Sequence, residues 1–131
     1  MIFVDTSAIF AILDAKDESH SAARDRWVEL LESDQFLVTT NYIVLETCAL
    51  AQNRLGMAAV RAIQDDVVPV LEVQWVDQET HSLAMAALLA AGRRKLSLVD
   101  CSSFVMMRRQ GIRNAFAFDK HFVEEGFRCT R

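Results

Sequence analysis

The sequence predicts an α/β fold in which helices cover a central parallel sheet. Short apolar runs alternate along the chain with longer segments of helical periodicity, and strand–helix units repeated in this way build parallel sheets. Hydrophobic residues make up 52% of the 131 residues and charged residues 24%, which provides enough apolar side chain for a core. Because no linker, repeat or low-complexity segment breaks the pattern, we expect a single domain over residues 1–131.

Five segments are predicted to be strands. The runs 1–4, 36–39 and 115–118 are almost entirely apolar, as in strands that are covered on both faces. The run 70–76 alternates between apolar and polar residues and is expected to lie at an edge of the sheet. Residues 127–130 are the predicted last strand.

Six segments are predicted to be helices, at residues 7–13, 19–33, 41–55, 57–67, 77–92 and 100–110. In the second segment, Ala23, Trp27 and Leu30 recur at helical spacing, so this helix is expected to be amphipathic. Asn41 is expected to cap the third helix, and Gly111 is expected to end the sixth.

Charge is distributed unevenly along the chain. The formal net charge is -4, but residues 1–92 carry 5 Lys+Arg and 14 Asp+Glu, whereas residues 93–131 carry 9 Lys+Arg and 4 Asp+Glu. The two parts therefore differ in sign, at -9 and +5. Such asymmetry favours a face that binds an anionic partner, and solvated arginines near helix ends are the simpler alternative.

Cysteine usage and hydropathy predict a cytoplasmic protein. The three cysteines are odd in number and lack the spacing of a zinc site, so we expect them to be reduced. No apolar stretch is long enough to cross a bilayer. The apolar start of the chain is interrupted by Asp5 and has no basic segment before it, so a signal peptide is not expected.

Four carboxylates stand alone in segments that otherwise look buried: Asp5, Glu46, Asp100 and Asp119. Ionised carboxylates are rarely buried unless they are paired or bind a metal. Asp5 and Asp119 follow predicted strands, and the carboxyl ends of parallel strands form the edge at which such sheets bind ligands. If Glu46 and Asp100 meet them there, four oxygen-ligand side chains surround one cavity.

A cluster of this kind predicts a divalent cation. Like charges a few ångströms apart raise the pKa of at least one carboxyl, and a bound cation removes that penalty. Carboxylates suit Mg²⁺ or Mn²⁺ better than zinc. Such ions assist phosphodiester hydrolysis by activating water and neutralising phosphate charge, so the cluster favours that reaction.

Each carboxylate also has an ordinary structural explanation. Asp5 and Asp100 could cap helices, and Asp119 could open a turn. Glu46 could belong to an exposed stripe of its helix together with Gln52 and Asn53. Four such coincidences are less economical than one shared site.

Histidine and tryptophan are not expected to take part in that site. His20, His81 and His121 lack metal-binding spacing, and an isolated histidine is usually a surface or capping group, although His121 lies close enough to Asp119 to touch a substrate. Trp27 and Trp75 are expected to be core residues.

Four short motifs resemble those of the PIN-domain family. They contain the strand and Asp-Thr-Ser run at 2–8, the helix with an acidic residue at 40–47, the segment 96–103, and the closing segment 116–122, where Phe122 follows Asp119 by three positions. Their order and spacing match over nearly the whole chain. The length is similar to that of single-domain, VapC-like toxins of bacterial toxin–antitoxin pairs.

This resemblance implies a fold, an activity and a set of residues. The fold is a three-layer α/β/α sandwich with a central parallel sheet, and the activity is Mg²⁺- or Mn²⁺-dependent cleavage of RNA. By position, Asp5, Glu46, Asp100 and Asp119 are the catalytic and metal-binding acids, with Ser7 as a polar helper. The resemblance further implies a homodimer and a cognate antitoxin that enters the groove. Basic residues of the last third would hold the RNA backbone, and the candidates are Arg93, Arg94 and Lys95.

Two other classes of protein compete with the nuclease. A phosphotransfer receiver or a haloacid-dehalogenase-like phosphatase also has an acidic pocket at strand ends, but the phosphatase requires a second Asp where this chain has Ser7. A non-catalytic PIN-like module that binds RNA or protein would not need all four acids. Fold alone does not separate these classes, because function depends on the site.

Overall fold

Five parallel strands form one sheet in the spatial order β3-β2-β1-β4-β5. The computed structural model describes residues 1–130. The strands are β1 (Ile2–Val4), β2 (Leu37–Thr40), β3 (Glu72–Gln74), β4 (Asn114–Phe116) and β5 (Arg128–Thr130). Helices flank this sheet, which confirms the predicted α/β/α class.

Seven α-helices connect and flank the strands in the described part of the chain. They are α1 (Thr6–Leu13), α2 (His20–Glu32), α3 (Asn41–Arg54), α4 (Met57–Ala62), α5 (Gln78–Ala91), α6 (Leu98–Gln110) and α7 (Lys120–Glu124). After α4 the chain widens into a π-helical turn, Ile63–Val67, and then tightens into a 3₁₀ turn, Val68–Val70. The predicted helix 57–67 is therefore α-helical only in its first part.

The strand order reverses beside β1. The chain moves outward from β1 to β2 and β3, and then returns to place β4 and β5 on the other side of β1. In open α/β sheets, the crevice at the carboxyl ends of the strands beside such a reversal is where ligands bind. Two of the predicted site residues, Asp5 and Asp119, follow the two strands that flank this point.

The core lies on and around the two central strands. Phe3 in β1 and Phe116 in β4 are fully buried. Phe122 of α7 is also fully buried, with its ring centroid 6.3 Å from that of Phe3 and 5.1 Å from that of Phe104 in α6. These aromatic contacts fix α6 and α7 relative to the sheet, and both helices carry predicted site residues.

Several element boundaries differ from the sequence prediction. Thr40, not Asn41, caps α3, because its hydroxyl accepts from Ile43 N at 3.1 Å while Asn41 Oδ1 accepts from Val76 N at 2.7 Å. The edge strand is shorter than 70–76, because the segment before it forms the 3₁₀ turn that contains Pro69. Ser97 caps α6, so that helix begins before Asp100.

The two tryptophans have different environments. Trp27 is half-buried and packs against the core, as predicted. The prediction for Trp75 is wrong, because its exposure is 78% at the end of the edge strand. The helices within residues 1–130 are too short or too polar for any of them to span a membrane.

Replacing Phe122 by alanine should destabilise the fold by about 3–5 kcal/mol, because the change leaves a large cavity in a rigid aromatic cluster. The free energy of unfolding in urea measures this loss. Phe36→Ala is the matched control, since Phe36 is 70% exposed and truncation at exposed positions changes stability by about 0.5 kcal/mol or less. A loss below about 1 kcal/mol for Phe122→Ala would contradict the described packing.

Candidate metal centre

Asp5 lies where β1 turns into α1. Its backbone N–H donates to Phe116 O at 3.1 Å, which is the last contact between the ends of β1 and β4. Its side chain caps α1 by accepting from Ser7 N at 3.0 Å. Asp5 is therefore a helix cap, as the simpler explanation proposed, and it is also 4% exposed at the carboxyl edge of the sheet.

Ser7 joins the ends of the two central strands. Its Oγ donates to Asp5 Oδ2 at 2.7 Å and accepts from Phe118 N at 2.9 Å. Phe118 directly precedes Asp119 in the chain. A single hydroxyl thus connects the carboxylate after β1 to the segment after β4, across 111 residues of sequence. Ser7 was predicted to be a polar helper, and in the structure its hydroxyl positions two site segments.

Glu46 projects from α3, which follows β2. The helix is anchored by Thr47, whose Oγ1 lies 2.7 Å from Ile43 O and 3.0 Å from Thr6 Oγ1, with its single proton available to one of these acceptors at a time. The Thr6 side chain in turn hydrogen-bonds Glu46, so α3 is connected to the start of α1. Glu46 therefore faces the edge of the sheet that carries Asp5. It does not belong to the exposed side of its helix, as the simpler explanation proposed.

Asp100 occupies the first turn of α6. It forms a capping box with Ser97: Asp100 N donates to Ser97 Oγ at 3.0 Å, and Ser97 N donates to Asp100 Oδ2 at 3.1 Å. The reciprocal bonds hold the carboxylate in one orientation. Asp100 is 8% exposed, so it is both a capping residue and a buried acid.

Asp119 caps α7 and lies beside a buried histidine. Its Oδ1 accepts from His121 N at 2.9 Å and lies 3.9 Å from His121 Nε2. One ligand atom from each of Asp100, Asp119 and His121 lies within 4.8 Å of the others. His121 is 6% exposed, so the expectation of a surface or capping histidine was wrong. No sequence spacing revealed this burial, because the proximity of His121 to Asp100 joins two segments that are distant in the sequence.

Burial and the neighbouring carboxylates together raise the pKa of three of the four acids. The pKa of Asp5 is raised to about 7, chiefly by burial and in smaller part by the charges of Asp100 and Asp119, while hydrogen bonds from Ser7 act to lower it. Burial also raises the pKa of Glu46, where the same two aspartates add to the effect. The pKa of Asp100 is raised by burial and by Asp119, and is lowered by its bonds to Ser97.

The donor set fits a divalent cation. Among residues 1–130, no Lys or Arg forms an ion pair with Asp5, Glu46, Asp100 or Asp119. Neighbouring carboxylates with no basic partner cannot all be ionised without a counter-charge. Oxygen ligands from carboxylates are those that Mg²⁺ and Mn²⁺ prefer. The site can therefore hold such an ion and would bind it with release of protons.

The candidate RNA-binding residues lie on the loop before α6. Arg93, Arg94 and Lys95 are all exposed. Arg93 Nη2 is paired with Glu124 Oε2 at 3.0 Å, which leaves it less available to a phosphate than its two neighbours. Two other basic residues of the last third, Arg108 and Arg109, are also in ion pairs, with Glu125 and Glu79.

Comparison with known proteins agrees with this geometry. The family model described as "PIN domain" matches residues 2–127. The chain is 37% identical over 128 residues to the 23S rRNA-specific endonuclease VapC20 of Mycobacterium tuberculosis, covering 97% of this chain and 95% of that protein. The crystal structure of that Sarcin-Ricin loop cleaving toxin superposes with a TM-score of 0.88, at 35% identity over 100% of this chain and 99% of that one.

More distant structures share the fold. FitAcB from Neisseria gonorrhoeae matches with a TM-score of 0.68 at 13% identity, covering 100% of this chain and 97% of that one. DNA-bound VapBC from Salmonella typhimurium matches with a TM-score of 0.68 at 18% identity, covering 99% and 98%. At such identities the likeness concerns the fold alone.

Asp5→Asn should stabilise the metal-free protein at pH 8 and change its stability little at pH 4. The folded-state pKa of Asp5 is about 7 against an ordinary value of 3.8. At a pH between 3.8 and about 7, Asp5 is ionised in the unfolded chain but keeps its proton in the folded chain. The free energy of unfolding of the wild type therefore falls as the pH rises through this range. The full difference corresponds to about 4 kcal/mol, and urea unfolding with EDTA at both pH values measures it.

Asp77→Asn is the control, because it should change the stability at pH 8 in the opposite direction to Asp5→Asn. Asp77 caps α5, and its bonds to Thr80 lower its pKa, so its ionised form stabilises the fold at neutral pH. This variant should lose stability at pH 8. If Asp5→Asn were also less stable than the wild type at pH 8 without metal, the described burial of an uncompensated carboxylate would be wrong.

Proposed function

The chain belongs to the PIN-domain family, and from that premise we propose that it is an endoribonuclease whose acidic centre holds Mg²⁺ or Mn²⁺ and hydrolyses RNA phosphodiester bonds. One observation carries the proposal. Asp5, Glu46, Asp100 and Asp119 come from four segments of the chain that are brought together by contacts through Ser7, through Thr6 and Thr47, and between Asp100 and Asp119. No Lys or Arg within residues 1–130 forms an ion pair with these acids. The family match over residues 2–127 also supports a single domain.

The proposed substrate is the sarcin–ricin loop of 23S rRNA. The supporting relative is an endonuclease specific for 23S rRNA, and its similarity to this chain extends over nearly the full length of both proteins. The match includes the segments that position the acids, so the substrate groove is expected to be alike. The site would then act on ribosomes in the cytoplasm, which is the location that the sequence predicted.

Each side chain of the centre has its own role in the proposed reaction. Asp5, Asp100 and Asp119 would hold the ion, with Glu46 at the rim. A divalent cation held there would lower the pKa of water and neutralise negative charge on the phosphate. Glu46, whose pKa is raised, is suited to accept a proton from the attacking water. The Ser7 hydroxyl keeps Asp5 and the Asp119 segment at a fixed separation.

The RNA backbone would be held by cations close to this edge. Arg94 and Lys95 are exposed on the loop that leads into α6, and Lys120 directly follows Asp119 and is exposed. Arg93, the third candidate, is paired with Glu124 and is therefore less available for this contact. Contacts of this type position a strand and carry no base preference, so recognition of the loop would come from its shape.

An antitoxin is the proposed protein partner. The similar Mycobacterium protein is a toxin, and a nuclease that attacks the ribosome requires an inhibitor in the cell that makes it. The centre concentrates negative charge that no Lys or Arg within residues 1–130 pairs with. An arginine from the antitoxin tail would satisfy these carboxylates through paired hydrogen bonds.

A homodimer is the proposed assembly. The free edge of β3 carries an apolar groove of about 470 Å³ between α3 and that strand, flanked by Leu45 at 70% exposure and Trp75 at 78%. Exposed apolar patches at a sheet edge mark association surfaces and would otherwise favour aggregation. A second copy that covers the groove explains why Trp75 is not in the core of one chain.

Asp100→Asn should reduce cleavage of a sarcin–ricin loop hairpin at least about a hundredfold, because it removes a ligand charge and keeps the side-chain shape. The rate is measured on labelled RNA with Mn²⁺, and circular dichroism shows that the variant is folded. Asp66→Asn is the control, since Asp66 is exposed on the turn after α4. Retained cleavage in Asp100→Asn, or cleavage by the wild type in excess EDTA, would refute the metal-dependent site.

The wild type should have a solution mass of about twice the 14.8 kDa of one chain. Trp75→Ser should shift this mass toward the monomer, because it removes the most exposed aromatic side chain of the groove. Light scattering after size-exclusion chromatography measures both masses, with Phe36→Ser as a control that keeps the dimer. A monomeric wild type at micromolar concentration would remove the homodimer from the proposal.

A further inference from the structure

We propose that His121 is a nitrogen ligand of the metal centre and that it makes the centre prefer Mn²⁺ to Mg²⁺. The inference rests on the proposed function, since it concerns the ion of that same site. It adds a ligand that is not a carboxylate, and it predicts which of the two ions the site selects.

The position of the imidazole supports this role. His121 is 6% exposed, and the groups that face it from the surrounding elements are carboxylates: Asp100 from α6, and Asp119 and Glu124 from its own segment. One ligand atom each of His121, Asp100 and Asp119 falls within 4.8 Å of the other two. Ligands on opposite sides of an ion with bonds near 2.1 Å are about 4.2 Å apart, so a small inward movement would complete the set.

The ring is held so that one nitrogen remains for an ion. His121 Nδ1 lies 3.4 Å from Glu124 Oε2, and that carboxylate is in turn paired with Arg93 Nη2 at 3.0 Å. His121 Nε2 is 3.9 Å from Asp119 Oδ1, which is too long for a hydrogen bond. Within residues 1–130, no hydrogen bond to Nε2 is formed. A histidine with one nitrogen oriented by a carboxylate and the other facing acids has the arrangement of a metal ligand.

Arg93 and Glu124 hold His121 and its two neighbouring segments in position. Arg93 belongs to the loop before α6 and Glu124 to the end of α7, so their ion pair joins the two segments that carry Asp100 and Asp119. Glu124 also fixes the ring of His121. Arg93 and Glu124 are therefore positioning residues, and they act on the ion through His121.

The chemistry of the donor set decides the metal preference. Mg²⁺ is a hard ion that binds carboxylate and water oxygens in strict octahedral geometry. Imidazole is a softer donor that favours transition-metal ions, while carboxylates remain good ligands for Mn²⁺. A site that adds one histidine to the three aspartates should consequently bind Mn²⁺ more tightly than Mg²⁺, and this preference should disappear when the histidine is replaced.

Electron spin echo modulation of bound Mn²⁺ tests the inference directly. The full chain loaded with Mn²⁺ alone should show the ¹⁴N modulation of a coordinated imidazole. This measurement needs no variant and no RNA. Absence of nitrogen modulation with Mn²⁺ bound stoichiometrically would overturn the proposal.

Matched variants then assign the nitrogen. His121→Gln should lose the modulation, bind Mn²⁺ at least about tenfold more weakly, and bind Mg²⁺ within about threefold of the wild type by calorimetry. His20→Gln is the control and should behave as the wild type, since His20 Nδ1 contacts Ala11 O away from the centre. Modulation that persists in His121→Gln, or equal weakening of both ions, would contradict the assignment.

The outcome separates this inference from the proposed function. If the wild type cleaves RNA only with a divalent ion but shows no nitrogen ligand, then the nuclease stands and the role of His121 fails. If the wild type cleaves RNA in excess chelator, then the metal-dependent function itself fails. Glu124→Gln should weaken Mn²⁺ binding less than His121→Gln does, because it leaves the ligand in place and loosens its orientation.

Discussion

The main constraint on this protein is the mutual repulsion of the carboxylates that its fold holds at one edge of a parallel sheet. Asp5 and Asp119 follow the two central strands, and the Ser7 hydroxyl fixes the segments that carry them. Helices α3 and α6 bring Glu46 and Asp100 to the same edge. The fold therefore keeps in place a charge arrangement that is unfavourable by itself. A bound cation, or the proposed arginine of an antitoxin, would relieve this repulsion, and under the proposed function one site would therefore serve both catalysis and inhibition.

Much of this organisation could be predicted from the sequence. The strand β1 is apolar throughout and ends at a single charge, Asp5, so both the strand and the site residue were predictable. The same holds for Asp119 after β4. The parallel fold followed from the alternation of elements, and the family followed from the order of four motifs. Comparison with known proteins confirmed the fold and the family. The roles of the individual residues remain proposals.

Features that depend on contacts between distant segments could not be predicted. His121 carries no recognisable spacing, because Asp100, one of its two neighbouring acids, comes from a different helix, although Asp119 lies only two positions before it. Thr40 replaced Asn41 as the cap of α3 because Asn41 is bonded to Val76, 35 positions later. Strand β4 ends at Phe116, opposite the last residue of β1, and beyond it the amide of Phe118 donates to the Ser7 hydroxyl instead of to a strand. The exposed Trp75 shows that the hydrophobicity of a residue alone does not predict its burial in the core.

Anomalous diffraction from crystals grown with Mn²⁺ tests the central claim most directly. The account predicts one strong peak enclosed by Asp5, Asp100 and Asp119, with Glu46 at its margin, and movement of these side chains toward the ion. The result that would contradict it is full occupancy of Mn²⁺ elsewhere on the surface, with the four carboxylates unchanged and no density between them.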